Sequence, residues 1–227
     1  MIIVPDPRLW HLPHAALLRD GVRLIDVAEV TLAPSLRTLE LLLRRPVTSV
    51  PLPGRPVLSD LDATLPGHAV ERAALDGWPG GHDLLSGLAA SRRDAAAIYV
   101  SGHGAAAGAT PRFGRRGISL DSLASAELPR LVLLNGCWSG TAVSRYGRDP
   151  LSLAVGALIG GADTVIAGVG RVGSEASAHI GAAIIRLCGN GLRPTAALRI
   201  AQRNLRDEHP ELGLFDWAGL CAVGLGR

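Results

Sequence analysis

One histidine and one cysteine in this 227-residue chain follow its two clearest predicted strands. His103 comes directly after the apolar run AIYVSG at 97–102, and Cys137 ends the run LVLLNGC that begins at 131. A cysteine attacks as its thiolate, and a free thiol with a pKa of about 8.5 is only slightly ionised at neutral pH. A nearby imidazole can accept the thiol proton and later protonate a leaving amine. The pair therefore predicts covalent catalysis with Cys137 as nucleophile and His103 as general acid and base.

Glycines flank both reactive residues, at Gly102 and Gly104 and again at Gly136 and Gly140. Without a Cβ atom, glycine permits tight turns and a close approach of backbone N–H groups to an oxyanion. We predict an oxyanion hole made by the N–H groups of Gly104 and Cys137. A lone cysteine or histidine is usually structural, but two strands that both end in a glycine-flanked reactive residue favour the catalytic interpretation.

The elements that must position this pair alternate between strands and helices. Strands are predicted at 97–102, 131–134, 164–169 and 218–224, and helices at 152–159, 176–187 and 194–206. Such alternation implies right-handed crossovers and a mostly parallel sheet covered by helices on both faces, which is an α/β architecture. In such sheets, reactive groups gather beyond the carboxyl ends of the strands.

The remainder of the chain is predicted to belong to the same domain, which would span 1–227. Residues 1–45 indicate a β-rich start and a first helix capped by Ser35, and 46–95 a proline-containing connector with helices at 69–75 and 83–91. Neither part has enough apolar periodicity for a core of its own. Residues 96–227 would then form the catalytic core.

Composition excludes several classes of function. All 23 basic residues are arginine, so there is no lysine for a Schiff base or a P-loop. The arginines are dispersed and the net charge is only +3, which argues against a nucleic-acid partner.

The three cysteines have neither metal-ligand spacing nor a disulfide pattern. We therefore expect no metal and no cofactor, and a reducing cytoplasm as the location. The sequence shows no signal peptide and no uninterrupted apolar segment of membrane-spanning length, so no membrane partner is expected.

A rival signal lies at Gly168, Gly170 and Gly173, which match the dinucleotide-binding pattern GxGxxG after a strand and before a helix. That fingerprint also needs a second strand with an acidic residue about 20 positions further on. Residues 176–206 instead read as helices without an acidic residue. A loop that shapes a peptide groove is the preferred interpretation, and a dinucleotide-binding protein is kept as an alternative.

At the reactive residues the sequence resembles a known family. The segments YVSGHGA and LVLLNGCWSG are similar to the His and Cys motifs of the CHAT domain, a caspase-like peptidase domain related to caspases, separases and gingipains. GADTVIAGVGRV and FDWAGLCAVGLG extend the resemblance to nearly the whole chain. It implies a three-layer αβα sandwich of the caspase-haemoglobinase type, and hydrolysis of peptide bonds by a Cys137–His103 dyad without a metal.

The resemblance also implies a substrate pocket. Asn135 matches a position that in relatives often lines the pocket for the side chain preceding the cleaved bond, and Trp138 replaces the family's common Asp after the cysteine. Arg171, Ser174 and Glu175 lie where the family often has Trp and Asp. Arg171 would favour an acidic substrate residue and Glu175 a basic one, so the preference stays open.

The expected function is that of a cysteine endopeptidase with a protein substrate. The sequence shows no repeat or sensor segment, so regulation is expected to come from a partner protein or from a fused region outside this chain. The family resemblance implies a role in a bacterial regulatory or defence system. The alternative is a CHAT-like interaction module whose dyad is present but does not catalyse.

Overall fold

The structure, a computed structural model, describes residues 1–46, 55–76, 94–104, 112–114, 117–141 and 150–227. The helix predicted at 83–91 lies outside these residues. The strands are β1 Ile2–Ile3, β2 Leu18–Arg19, β3 Val22–Arg23, β4 Thr31–Leu32, β5 Val57–Leu61, β6 Ala97–Ser101, β7 Arg112–Phe113, β8 Ile118–Ser119, β9 Leu131–Asn135, β10 Thr164–Gly168 and β11 Leu220–Gly224. The α-helices are α1 Leu24–Val27, α2 Leu36–Leu43, α3 His68–Leu75, α4 Leu120–Ala124, α5 Leu153–Ile159, α6 Ser174–Gly189, α7 Pro194–Glu208 and α8 Leu214–Ala218.

Seven strands form one sheet in the order β1-β4-β11-β10-β9-β6-β5. Neighbouring strands run parallel except for β10 and β11, which are antiparallel. The prediction of a mostly parallel sheet is therefore confirmed. Strands β6, β9 and β10 are adjacent and parallel, so their carboxyl ends meet at one edge of the sheet.

Side chains alternate between the two faces of the sheet, as the geometry of a strand requires. On one face, Tyr99 of β6 and Leu133 of β9 belong to a core shared with α3, α6 and α7. On the other face, Val100 and Leu134 belong to a core shared with α2, α4 and α5. Because the strands are buried on both faces, they read as continuous apolar runs in the sequence. The predicted three-layer αβα arrangement is confirmed.

Local signals explain where several helices begin. The Ser35 hydroxyl accepts a hydrogen bond from the Thr38 N–H at the start of α2, at 3.0 Å. Ser152 caps α5 in the same way, and Pro194 occupies the first turn of α7, where its missing N–H costs no helical hydrogen bond. The predicted Ser35 cap is confirmed. Within the described ranges, no helix has the length and apolar character to cross a bilayer.

The segment after β10 departs from a dinucleotide-binding unit. Three helices in succession, α6, α7 and α8, follow β10, and the next strand, β11, pairs with β10 in the antiparallel direction. A dinucleotide site needs a parallel strand after the first helix, so that a βαβ unit forms around the cofactor. Gly168, Gly170 and Gly173 therefore precede α6 without the rest of that unit.

Candidate active site

The ends of β6 and β9 bring the backbone segments that carry His103 and Cys137 next to each other. Ser101 is paired with Asn135 in the register of the two strands, and the Gly102 N–H donates to the Asn135 carbonyl at 3.2 Å. His103 and Cys137 each lie two positions beyond that pair. Adjacent strands are about 4.8 Å apart, so the two chains leave the sheet as neighbours at the same level.

The two turns that follow these strands are in contact through their backbones. A Cβ atom added to Gly104 would lie 1.7 Å from the Cys137 carbonyl oxygen. One added to Gly136 would lie 2.1 Å from the carbonyl oxygen of Gly102. Glycine is thus required at both positions because the backbones approach too closely for any side chain.

The three cysteines have different environments. The His103 side chain is exposed and Cys137 is partly exposed, so the predicted dyad is open to solvent. Cys188 is buried in α6, and burial raises the pKa of both Cys188 and Cys221 to about 12. These two thiols are therefore poor nucleophiles at neutral pH, which leaves Cys137 as the candidate.

The loop after β10 holds the Cys137 turn. The Cys137 thiol donates a hydrogen bond to the Val172 carbonyl, with Sγ and oxygen 3.5 Å apart. The neighbouring Trp138 N–H donates to the Gly170 carbonyl at 2.9 Å. Gly170 of the GxGxxG pattern therefore lies against the turn that carries the candidate nucleophile.

The Cys137 turn also contains a strained residue and a buried hydroxyl. Trp138 has φ +59°, a left-handed conformation that is unusual for a bulky side chain and costs on the order of 1–3 kcal/mol. Ser139 is 1% exposed, donates to the Leu134 carbonyl at 2.6 Å and accepts from the Gly168 N–H at 2.8 Å. Sequence analysis did not identify Ser139, because a serine in a glycine-rich turn has no pattern of its own.

Asn135 lies in a buried polar cluster beneath the dyad. It is 5% exposed, and its Nδ2 donates to Glu71 Oε1 at 2.6 Å, to the Tyr99 hydroxyl at 3.0 Å and to the Ser177 carbonyl at 3.2 Å. The Tyr99 hydroxyl donates to the same Glu71 oxygen at 2.7 Å. We call Glu71, Tyr99, Ser101 and Asn135 the Glu71 cluster. The role of Asn135 in a substrate pocket stays a prediction.

Glu71 is an unusual residue to find in this position, at 2% exposure. Burial raises the pKa of the Glu71 carboxyl, while contacts with Ser101, Tyr99 and Asn135 act in the opposite direction. The Ser101 contact lacks hydrogen-bond geometry, and both Ser101 Oγ and Glu71 Oε2 are without a partner among the described residues.

The raised pKa of Glu71 predicts that stability falls as the pH rises. Between the ordinary pKa of 4.5 and the higher folded-state value, the folded protein binds more protons than the unfolded chain, so the free energy of unfolding decreases through this window. Glu71→Gln cannot ionise and should have a flatter dependence. Urea unfolding of both proteins from about pH 4 to about pH 8 measures the difference, and parallel curves would contradict the prediction.

The other predicted pocket residues lie on or next to the loop that contacts Cys137. Arg171 and Glu175 are exposed, and Ser174 begins α6. They flank Val172, whose carbonyl accepts the thiol hydrogen bond, so the chain brings them to the side of the sheet edge where Cys137 lies. Their contact with a substrate stays a prediction. In the described part of the chain, no group of three or more His, Cys, Asp or Glu side chains is arranged to hold a metal ion.

Comparison with known proteins supports the geometry at the level of fold. Two crystal structures of the separase–securin complex of Saccharomyces cerevisiae, at 2.6 and 3.0 Å resolution, match this chain with a TM-score of 0.69 and 18% sequence identity. Each match covers 99% of this chain and 15% of the chain in the complex, so this chain spans only a small part of that protein's length.

A search of curated proteins gave no match. The profile of the CHAT domain, in contrast, matches residues 1–225, which is nearly the whole sequence. The mostly parallel sheet and the match to the CHAT domain are consistent with one another. The chain belongs to the CHAT domain family.

Proposed function

We propose that this protein is a cysteine endopeptidase that uses Cys137 as nucleophile and His103 as general acid and base. The observation that carries the proposal is the contact between the two turns at the ends of β6 and β9. It supports the proposal because these two turns carry the two residue types that thiol hydrolysis of a peptide requires.

In the proposed reaction, the His103 imidazole removes the thiol proton, and the Cys137 sulfur attacks the carbonyl carbon of the peptide. The tetrahedral intermediate collapses as the imidazolium protonates the leaving amine, which leaves an acyl-thioester on Cys137. The same imidazole then takes a proton from water, which attacks the thioester and releases the acid product and the free thiol. No metal or cofactor is needed for these steps.

The N–H groups of Gly104 and Cys137 would stabilise the oxyanion. In the part of the chain that the structure describes, no backbone carbonyl accepts a hydrogen bond from either group. Within the described residues, neither group is therefore used by the backbone, which supports a role for both as donors to a substrate oxygen. A single donor of this kind contributes about 10²- to 10³-fold to the rate in other hydrolases.

The finer features of the proposal concern substrate and regulation. The substrate would be a protein, with Arg171, Ser174 and Glu175 beside the cleavage site and Trp138 next to the nucleophile. We propose that a partner protein regulates access, as a complex with securin is described for the yeast separase. The three free cysteines are in keeping with a reducing compartment such as the cytoplasm.

One observation favours a second candidate function, that of a non-catalytic interaction module. The Cys137 thiol donates a hydrogen bond to the Val172 carbonyl instead of being held by a catalytic base. A chain that always kept this contact would present the dyad without using it. A chain whose loop after β10 moves when a partner binds would be a triggered peptidase.

A proteomic cleavage screen separates these functions. We expect new protein termini in cell extract treated with the wild-type chain, with or without candidate partners, and none with Cys137→Ala. Cys188→Ala is the matched control, because Cys188 is buried away from solvent and should leave cleavage unchanged. If wild type and Cys137→Ala release the same termini, and an alkylating active-site probe does not label Cys137, the peptidase proposal is wrong.

A further inference from the structure

A buried carboxyl group lies directly behind the candidate dyad and takes no part in the reaction proposed above. Glu71 is on α3, and its side chain is 2% exposed. Acidic side chains are almost never buried to this extent without partners. The hydrogen-bond partners of Glu71 therefore stabilise its carboxyl group in this buried position.

These partners come from the two strands that carry the dyad. Tyr99 belongs to β6 and Asn135 to β9, and both donate hydrogen bonds to Oε1 of Glu71. Asn135 also donates to the Ser177 carbonyl of α6. One carboxylate oxygen thus joins α3 to both strands, and the Asn135 amide joins them to α6.

The Glu71 cluster is close to the reacting groups along the chain. Asn135 is two residues before Cys137, and Ser101 is two residues before His103. A displacement of about 1 Å at a reacting group can cost on the order of 10²-fold in rate. Any shift of β9 against β6 at this level would change the separation of sulfur and imidazole.

The surrounding packing leaves the cluster little room to move. A Cβ atom on Gly181 of α6 would lie 2.1 Å from the Tyr99 hydroxyl oxygen. A Cβ atom on Gly67, which precedes α3, would lie 2.2 Å from the Cβ of Ala178. The two helices therefore approach closely around the cluster, so the positions of the Tyr99 hydroxyl and of α3 are both restricted.

We propose that Glu71 is a positioning residue, which holds the ends of β6 and β9 in register through Tyr99 and Asn135 and so sets Cys137 against His103. It acts through Tyr99 and Asn135 and does not touch the substrate. The inference rests on the proposed function, because it assumes that the two residues form a dyad.

Two variants test this role. Glu71→Ala removes the acceptor of the hydrogen bonds from Tyr99 and Asn135. We expect the rate of Cys137 alkylation by iodoacetamide at neutral pH to fall about tenfold. We also expect kcat to fall by about 10- to 100-fold, with KM changed less than about twofold. Glu71→Gln keeps an acceptor at Oε1 and offers a donor in place of Oε2, so it should retain at least about a third of both wild-type rates. Alkylation is followed by mass spectrometry of the Cys137 peptide, which separates it from Cys188 and Cys221.

A matched control and a double variant complete the test. Thr195→Val removes another buried polar group, which bonds Glu29 and the Gly226 carbonyl, away from the dyad, and should leave Cys137 alkylation unchanged. The loss in Glu71→Ala/Asn135→Ala should be smaller than the two single losses combined, because Glu71 acts in part through Asn135. If Glu71→Ala does not fold, Tyr99→Phe takes its place as the test variant. Tyr99→Phe removes one hydrogen-bond donor to Glu71 and should slow the alkylation of Cys137 by about two- to fivefold.

The outcomes separate this inference from the proposed function. If folded Glu71→Ala has the wild-type rate of Cys137 alkylation and the wild-type kcat, the positioning role is wrong. It is also wrong if Glu71→Gln is as slow as Glu71→Ala. If His103→Ala does not change the alkylation of wild-type Cys137, the dyad itself is absent and the proposed function fails first. Failure of the Glu71 variants alone leaves the dyad intact.

Discussion

Replacing His103 with alanine is expected to lower the rate of peptide cleavage by about 10²- to 10⁴-fold, the usual contribution of general acid and base catalysis. Without the imidazole, the proposed reaction loses its base for the Cys137 thiol and its proton donor for the leaving amine. Because the His103 side chain is exposed, its loss should change the free energy of unfolding by less than about 0.5 kcal/mol. Cleavage of a substrate found in the screen measures the rate, and thermal unfolding measures stability.

The control for this variant is His179→Ala, another exposed histidine, which lies on α6. It should cleave at the wild-type rate, because it is not at the end of β6. The alkylation rate of Cys137 should fall in His103→Ala and stay unchanged in His179→Ala. A His103→Ala protein that still cleaves at more than about a tenth of the wild-type rate would contradict the role of general base.

Gly104→Ala should have the second large effect, a loss of activity of more than about 100-fold. The added Cβ would lie 1.7 Å from the Cys137 carbonyl oxygen, so the two turns must separate to accept it. Separation moves the imidazole away from the sulfur and also displaces two predicted oxyanion donors. Overpacking of this kind usually costs about 1–3 kcal/mol of stability as well. Enzyme kinetics and thermal unfolding of the same preparation measure both effects.

Gly191→Ala is the matched control, since it also strains the backbone but at a distance from the dyad. Gly191 lies between α6 and α7 with φ +88°, and an added Cβ would meet nothing within 4 Å. It should lose about 1 kcal/mol of stability and keep its activity. Equal activity of Gly104→Ala and Gly191→Ala would show that the turn contact is not needed for catalysis.

The loop after β10 connects these predictions to regulation. It accepts hydrogen bonds from the Cys137 thiol and from the Trp138 N–H, and it carries Arg171. A partner that moved this loop would free the thiol and reshape the proposed pocket together. The loop therefore gives one physical route from partner binding to catalysis, in line with the proposed triggered peptidase.

Much of the fold could be predicted from the sequence because its signals are local. AIYVS and LVLLN are short, nearly continuous apolar runs, as is typical of strands buried on both faces, and a glycine follows each of them. The structure places β6 and β9 at these residues. Ser35 and Ser152 stand before apolar helical segments, where a hydroxyl caps the first turn. Each of these features depends on residues within a few positions of one another.

The role of the glycine pattern before α6 depends on residues elsewhere in the chain. Gly168, Gly170 and Gly173 satisfy the local fingerprint of a dinucleotide site. What they do depends on the Cys137 turn, which uses the carbonyls of this loop, and on β11, which pairs in the antiparallel direction. Both are too far away in sequence for a local pattern to indicate.

His103 and Cys137 could be selected from the sequence alone, because each follows a strand whose carboxyl end must lie at the reactive edge of a parallel sheet. Glu71 could not, because its partner Asn135 is 64 residues away and a glutamate on a short helix normally faces solvent. Only the packing of α3 against β6, β9 and α6 buries its carboxyl between the two strands. Residue type and position after a predicted strand determined the candidate catalytic residues. Tertiary packing decided which buried groups hold those residues in position, because burial depends on contacts between residues far apart in the sequence.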